Sequence, residues 1–181
     1  IKNYFNKWYV RNNVAICMAG DFDPDKTIAI IDKYFSGWKP GADVRQPVFP
    51  AQRKLTAPSD TTIIGKQAEQ VWVAWLANKA SDLQCDTLDV IGDMLSNGRA
   101  GIFDLNLNQT MKVQGAGAGM QDQQDYSSFV LMGQPKPNQS LKEVRDLMMA
   151  EIENLKKGNF SDDLLPSVVH NKKLNYQRAM E

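Results

Sequence analysis

Histidine and cysteine are scarce in this chain of 181 residues, and their scarcity excludes several kinds of active site. His170 is the only histidine, and Cys17 and Cys85 are the only cysteines. This chain alone therefore cannot build a zinc site from two or three imidazoles, a disulfide scaffold or a cysteine-rich metal knuckle. A nucleophilic site of the Ser-His-Asp or Cys-His type would have to use His170.

The chain also lacks an excess of charge and any long apolar run. Lys and Arg total 21 and Asp and Glu total 21, so the formal net charge is zero. This balance argues against a nucleic-acid-binding surface. No apolar run approaches the ~20 residues that a membrane helix needs. We therefore expect neither nucleic acid nor a membrane as a partner.

The length and the first residue bear on domain organisation. The chain begins at Ile1 and carries no signal-peptide pattern. Its length suits one domain with a sizeable core. The only linker-like stretch is the proline-rich segment 40–58. We expect residues 1–181 to form a single domain that is a fragment of a longer multidomain chain.

Strand patterns alternate with helical patterns and come in adjacent pairs, which favours an α+β fold with an antiparallel sheet. An apolar run at residues 14–20 predicts a buried strand with Cys17 in the core. Residues 61–66 and 70–76 predict two further strands, the second central because both of its faces are apolar. Residues 112–121 and 126–134 predict a hairpin.

Capping residues mark the predicted helices. Asp23 and Pro24 begin one helix, and Ser81 or Asp82 begins another. Ser140 begins a strong helix that Gly158 ends, and Ser161 or Asp163 begins the last. Asp21, Asp23 and Asp25 alternate like the start of a calcium loop, but the glycine and the final glutamate of such a loop are missing, so capping is favoured.

The reactive residues lack the neighbours that chemistry needs. No carboxylate lies three or four residues from His170, so an exposed helical histidine is favoured over a base or a metal ligand. Cys17 is expected to pack in the core and Cys85 to be structural.

Two segments could contact a ligand. The loop from Asn97 to Gly101 either separates two helices or contacts a peptide. Glycines at 115, 117 and 119 leave one face of a strand bare. Close packing of another element is favoured there over the approach of a ligand backbone.

Two residue patterns occur in order along the chain. The first joins aromatic residues and an Asn-Asn turn to an apolar run and a helix: Tyr4-Phe5-x-x-Trp8-Tyr9-x-x-Asn12-Asn13-Val14, Gly20-Asp21-Phe22-Asp23-Pro24 and Lys33-Tyr34-Phe35. The second is Leu95-Ser96-Asn97-Gly98-Arg99-Ala100-Gly101-Ile102-Phe103-Asp104-Leu105. Together they resemble the insulysin/pitrilysin family of zinc metallopeptidases, which includes the mitochondrial processing peptidase, over essentially the whole chain.

The resemblance implies a processing-peptidase-like α+β domain with helices packed on one face of an antiparallel sheet. In that family two related domains form a half, and two halves close around an unfolded peptide. Zinc is held by a His-x-x-Glu-His motif and a distal Glu in the first domain of the active half. Nothing in this sequence matches that motif. The resemblance therefore implies a second domain without catalytic residues, metal ligands or cofactor, with zinc in another domain of the parent.

The resemblance also implies partners and a location. The partners are other domains of the same protease, or a partner subunit, and an unfolded peptide substrate. The residues expected to contact the substrate are Asn97, Gly98, Arg99 and Gly101. The habit of the family suggests the bacterial periplasm or cell envelope.

One departure from the family pattern leaves two functions open. Active members often carry an Arg and a Tyr after the Phe-x-x-Leu segment, where this chain has Asn106 and Val113. The favoured function is a non-catalytic domain of a zinc metalloprotease that forms part of a peptide-enclosing chamber. The alternative is a domain of an inactive homologue that serves as a scaffold or peptide-binding subunit of a processing complex.

Overall fold

The computed structural model describes residues 1–42, 52–53 and 55–180. The chain forms two compact units, residues 1–61 and residues 62–181. The boundary between the units falls just past the proline-rich segment 40–58, and the expectation of a single domain stays a prediction. Much of that segment lies outside the described residues.

The described residues of the first unit contain two α-helices, α1 (Lys2–Trp8) and α2 (Pro24–Phe35), and a short 3-10 helix, Arg11–Asn13. Asp23 caps α2, because its carboxylate accepts the N–H of Lys26 at 3.1 Å. The Lys26 amide, followed by the Lys26 side chain, lowers the pKa of Asp23. The predicted cap is therefore confirmed.

Residues 14–20 do not form the buried strand that their apolar pattern predicts. Val14, Ile16 and Met18 are 46%, 48% and 55% exposed, and Cys17 is exposed as well. A strand requires a hydrogen-bonded neighbour, and no strand of the described chain pairs with this segment. The predicted strand and the predicted core position of Cys17 are both wrong.

Residues 62–180, the described part of the second unit, contain three strands, three α-helices and one π-helical turn. They are β1 (Val71–Ala77), α3 (Leu83–Leu95), the π-helical turn (Asp104–Asn108), β2 (Gly115–Gln121), β3 (Ser127–Gln134), α4 (Leu141–Lys156) and α5 (Leu164–Ala179). Asp82 caps α3 and Ser140 caps α4 through their side chains, as predicted. No helix in the described parts of the chain combines the length and the apolarity that crossing a membrane requires.

The sheet is antiparallel, with the order β1-β3-β2. The predicted hairpin of β2 and β3 is confirmed. The prediction that β1 is central is wrong, because this strand lies at an edge of the sheet. Apolar residues on both faces of a strand indicate burial of the faces, but they do not show whether one or two strands pair with it. The strand predicted at residues 61–66 does not form.

The core lies on one face of the sheet. Val73, Leu131 and Ala118 stand side by side across the three strands on this face. The helices α3 and α4 cover them with Leu95 and Met148, both fully buried. The opposite face presents a row that includes Trp72 and Met132, which are 53% and 36% exposed. Helices on one face of an antiparallel sheet confirm the predicted α+β fold.

Gly133 lets α4 lie close to β3. A Cβ added at this residue would lie 2.5 Å from Val144 Cγ1 and 3.0 Å from Met148 Cε. Both neighbours are fully buried, and the β-branched Val144 cannot easily rotate away. The glycine is therefore required by packing.

We expect Gly133→Ala to lower the free energy of unfolding by about 1–3 kcal/mol, because the added methyl overpacks the core. Gly119→Ala is the matched control on the same sheet, since its Cβ would have no neighbouring atom within 4 Å. It should change stability by less than about 0.5 kcal/mol. Urea unfolding measures both variants, and equal losses would contradict the packing argument.

An ion-pair cluster joins α5 to α3. Lys172 Nζ lies 2.6 Å from Asp89 Oδ2 and 2.8 Å from Asp93 Oδ2. Partial burial works to lower the pKa of Lys172, but the hydrogen bonds to the two carboxylates outweigh it and raise that pKa above its ordinary value of 10.5. The cluster therefore favours the charged lysine in the folded state.

We expect Lys172→Met to lower the free energy of unfolding by about 0.5–1 kcal/mol near neutral pH. Because the folded-state pKa is raised, this contribution is fully present below the ordinary lysine pKa and fades as the pH rises through the folded-state value. Lys173→Met, which removes an exposed neighbour, is the control. Urea unfolding at about pH 7 and about pH 11.5 tests this, and a difference that persists at high pH would contradict it.

Candidate functional site

A polar loop, residues 96–101, connects α3 to the segment that holds the π-helical turn. Asp104, only 6% exposed, accepts two main-chain N–H groups of this loop through its Oδ2. The donors are Asn97 at 2.9 Å and Gly101 at 3.1 Å. Because a buried carboxylate is costly without donors, these bonds fix the two ends of the loop to one side chain.

The interior of the loop is also hydrogen-bonded. Asn97 Oδ1 accepts the N–H groups of Arg99 at 3.1 Å and Ala100 at 2.9 Å. Asn97 Nδ2 donates to the Asp93 carbonyl at 3.1 Å. Gly98 has a φ of +79°, which glycine adopts without steric cost. These hydrogen bonds and the Gly98 conformation therefore stabilise the loop in the conformation described.

The four residues predicted to contact substrate occupy different environments. Asn97, Gly98 and Arg99 are exposed and adjacent, whereas Gly101 is buried. A Cβ at residue 101 would lie 2.6 Å from the Leu95 carbonyl oxygen, so this glycine is required by packing. The exposed surface available to a ligand consists of the loop from Asn97 to Ala100, and its contact with substrate stays a prediction.

Asn108, the last residue of the π-helical turn, binds the edge of β2. Its Oδ1 accepts the N–H of Ala116 at 2.8 Å, and its Nδ2 donates to the Ala116 carbonyl at 2.9 Å. The same Nδ2 lies 3.3 Å from Asp104 Oδ1. Sequence reasoning missed both Asp104 and Asn108. Their four-residue spacing directly after the loop could have indicated that they lie on one side of a helical turn.

The edge of β2 is partly open. Asn108 binds the main-chain N–H and C=O of Ala116, which therefore point away from β3. In a strand the main-chain groups of every second residue point to the same side, so those of Ala118 and Met120 also point to this outer edge. No strand in the described part of the chain pairs there. α3 packs closely on the strand, because a Cβ on Gly92 would lie 3.1 Å from Gly119 Cα. On the side where a Gly119 Cβ would point, no atom lies within 4 Å.

The two positions that depart from the family pattern differ in burial, because Asn106 is exposed and Val113 is buried. Asn106 Nδ2 donates to Glu151 Oε2 at 2.9 Å, and Glu151 is 7% exposed. Val113 is 2% exposed and packs in the main apolar cluster. The Asn106 amide is therefore bonded within the domain, and Val113 belongs to the core.

The remaining reactive residues are dispersed. His170 is exposed on α5, while Cys85 is buried with its thiol donating to the carbonyls of Asn78 and Lys79 at 3.2 and 3.3 Å. Within residues 1–42, 52–53 and 55–180, no group of three or more His, Cys, Asp or Glu side chains could hold a metal ion. The described residues thus do not fit a zinc site.

A family model described as the peptidase M16 inactive domain matches residues 1–171. The chain belongs to this family. The match confirms the resemblance to the insulysin/pitrilysin peptidases that the two residue patterns indicate. No curated protein matches the chain.

A solved structure, described as a protease from Helicobacter pylori, has the same fold as this M16 inactive domain. The two agree with a TM-score of 0.78 over 98% of this chain, at 19% sequence identity. This chain spans 44% of the length of that protein chain. The likeness shows the fold.

We expect the M16 inactive domain to bind no stoichiometric zinc, because stable zinc sites use three or four well-placed ligands. The measurement is metal analysis after equilibration with zinc and dialysis. A variant that replaces His170 with Ala serves as the control for weak surface binding. Retention of one zinc per chain that survives dialysis would contradict the expectation.

Proposed function

We propose that this M16 inactive domain forms part of the wall of a peptide-enclosing chamber in a zinc metalloprotease. The observation that carries the proposal is the exposed, internally hydrogen-bonded loop of Asn97, Gly98 and Arg99, linked through Asp104 and Asn108 to the open edge of β2. A loop whose conformation is fixed before binding loses little entropy when a ligand contacts it. Such a surface suits the positioning of a flexible chain.

The edge of β2 offers a second set of contacts to the same ligand. An extended peptide can add to a sheet edge through main-chain hydrogen bonds, which do not depend on its side chains. The outward groups of Ala118 and Met120 are available for such bonds, and the bare face at Gly119 leaves room beside them. This mode of binding favours unfolded peptides over folded proteins.

Peptide hydrolysis belongs, in this proposal, to another domain of the parent protein. The described residues supply no metal-ligand group, and the single histidine is exposed without an acidic partner. The role of this domain is therefore to enclose and orient the peptide. Its partners are the other domains of the protease, or a partner subunit, and the peptide itself.

The alternative is a domain of a catalytically inactive homologue that acts as a scaffold or peptide-binding subunit of a processing complex. It is favoured by Asn106 and Val113, because the first is bonded to Glu151 and the second is buried. The longer polypeptide discriminates between the two. A His-x-x-Glu-His motif in it, or in a neighbouring gene product, supports the protease, and a degenerate motif in both supports the scaffold.

Peptide binding by the chain tests the proposed role. We expect a fluorescently labelled, unfolded acidic peptide to bind, and Arg99→Glu to weaken its affinity about three- to tenfold, as the loss and reversal of an exposed charge contact would do. Arg178→Glu makes the same charge change on exposed α5 and should leave the affinity unchanged. Fluorescence anisotropy measures both. Equal effects of the two substitutions, or cleavage of the peptide by this chain alone, would contradict the proposal.

A further inference from the structure

The loop from Asn97 to Gly101 and the edge of β2 are joined by two side chains and by no main-chain hydrogen bond among the described residues. Asp104 holds the loop through Oδ2, and Asn108 holds Ala116 through both ends of its amide. The two side chains meet where Asn108 Nδ2 lies 3.3 Å from Asp104 Oδ1. A continuous path of hydrogen bonds therefore runs from the loop to the strand.

We infer that Asp104 and Asn108 are a positioning pair that sets the geometry of the candidate peptide-contact loop relative to the edge of β2. The effect of this pair on peptide binding rests on the proposed function, whereas the structural coupling of the loop to the edge of β2 does not. Asp104 is 6% exposed, so its carboxylate depends on the donors around it. When Asn108 stops donating, the carboxylate must turn or admit water, and its hold on Asn97 and Gly101 loosens.

Asn108 also limits where an added strand can pair. Its amide presents one acceptor and one donor to Ala116, which is the pattern a neighbouring strand would offer. The side chain thus occupies the edge at Ala116 and leaves the positions of Ala118 and Met120. A bound peptide would begin its pairing next to Asn108, in a register that the pair defines.

Asn108→Asp is the sharpest test, because it changes the chemistry of the side chain with almost no change in shape. The new carboxylate cannot donate to Ala116 or to Asp104, and it places two negative charges side by side. We expect hydrogen exchange at the Asn97 and Gly101 amides to quicken about tenfold or more, although residue 108 touches neither amide. Unchanged exchange at both amides would overturn the coupling.

Reciprocal rescue distinguishes a positioning pair from a general structural role. In the double variant Asp104→Asn with Asn108→Asp, the new amide at 104 can donate to the new carboxylate at 108 and still accept from the loop. We expect exchange at Asn97 and Gly101 to return to within about threefold of the wild-type rate, although the Ala116 carbonyl has lost its side-chain donor at residue 108. A double variant that loses as much protection as the two single variants combined would overturn the inference.

Asn106→Ala is the matched control, because it removes an amide from the same π-helical turn that bonds to Glu151 instead. It should leave exchange at Asn97, Gly101 and Ala116 unchanged relative to the amide of buried Leu131, which reports global stability. If Asn108→Asp does not fold, Asp104→Asn alone is measured. It should quicken exchange at Ala116, and an unchanged rate there would overturn the inference.

Peptide affinity separates failure of this inference from failure of the proposed function. If the wild-type chain binds the labelled peptide, Asn108→Asp should weaken binding about tenfold and the double variant should recover most of it. If Asn108→Asp quickens hydrogen exchange at Asn97 and Gly101 but the wild-type chain binds no peptide, the proposed function is refuted and the positioning pair is supported. Peptide binding that is indifferent to Asn108→Asp would refute the functional part of the inference.

Discussion

The hydrogen bonds that Asp104 accepts in the core of the second unit fix the arrangement around the candidate site. A carboxylate that is almost wholly buried is tolerated only where donors surround it. Here two donors are main-chain groups from opposite ends of one loop, and the third is a side chain bonded to a strand. Because the buried carboxylate needs all three donors, it holds the two ends of the loop and the side chain bonded to β2 in one arrangement.

The sheet is tightly packed on one face and unpaired at the edge of β2 that belongs to the candidate site. One face carries Leu131 and its neighbours under α3 and α4, where close packing leaves no space for a methyl group at Gly133. β2, in contrast, carries glycines on its other face, and a Cβ added at Gly119 would have no neighbouring atom within 4 Å. A sheet with one tightly packed face and one unpaired edge suits the proposed role of holding a peptide.

Local signals in the sequence predicted most helices and the hairpin, because caps and turns act over a few residues. Asp23, Asp82 and Ser140 each accept a main-chain N–H at the helix start that the sequence indicated. Strand neighbours were not predictable in this way. The apolar run from Val14 to Met18 reads like a buried strand, but burial depends on a partner strand that no local pattern describes.

The same reasoning explains which parts of the candidate site were predictable. The loop of Asn97 and Gly98 is marked by turn-forming residues, and the family resemblance placed it in context. Asp104 and Asn108 were missed because their importance comes from groups brought together by folding, the ends of the loop and the edge of β2. The burial of Gly101 was not predictable either, since a glycine required by packing looks in sequence like a glycine in an exposed loop.

The position of β3 between its two neighbours has a consequence for how the second unit folds. On one side it pairs with β2, which immediately precedes it in the sequence, and on the other with β1, which lies far upstream. Closing a short loop costs less entropy than closing a long one, and contacts between nearby residues form sooner. We therefore expect the β2–β3 hairpin to form first and β1 to be added later, so that the strand bearing the candidate peptide edge is among the first parts of the sheet to become ordered.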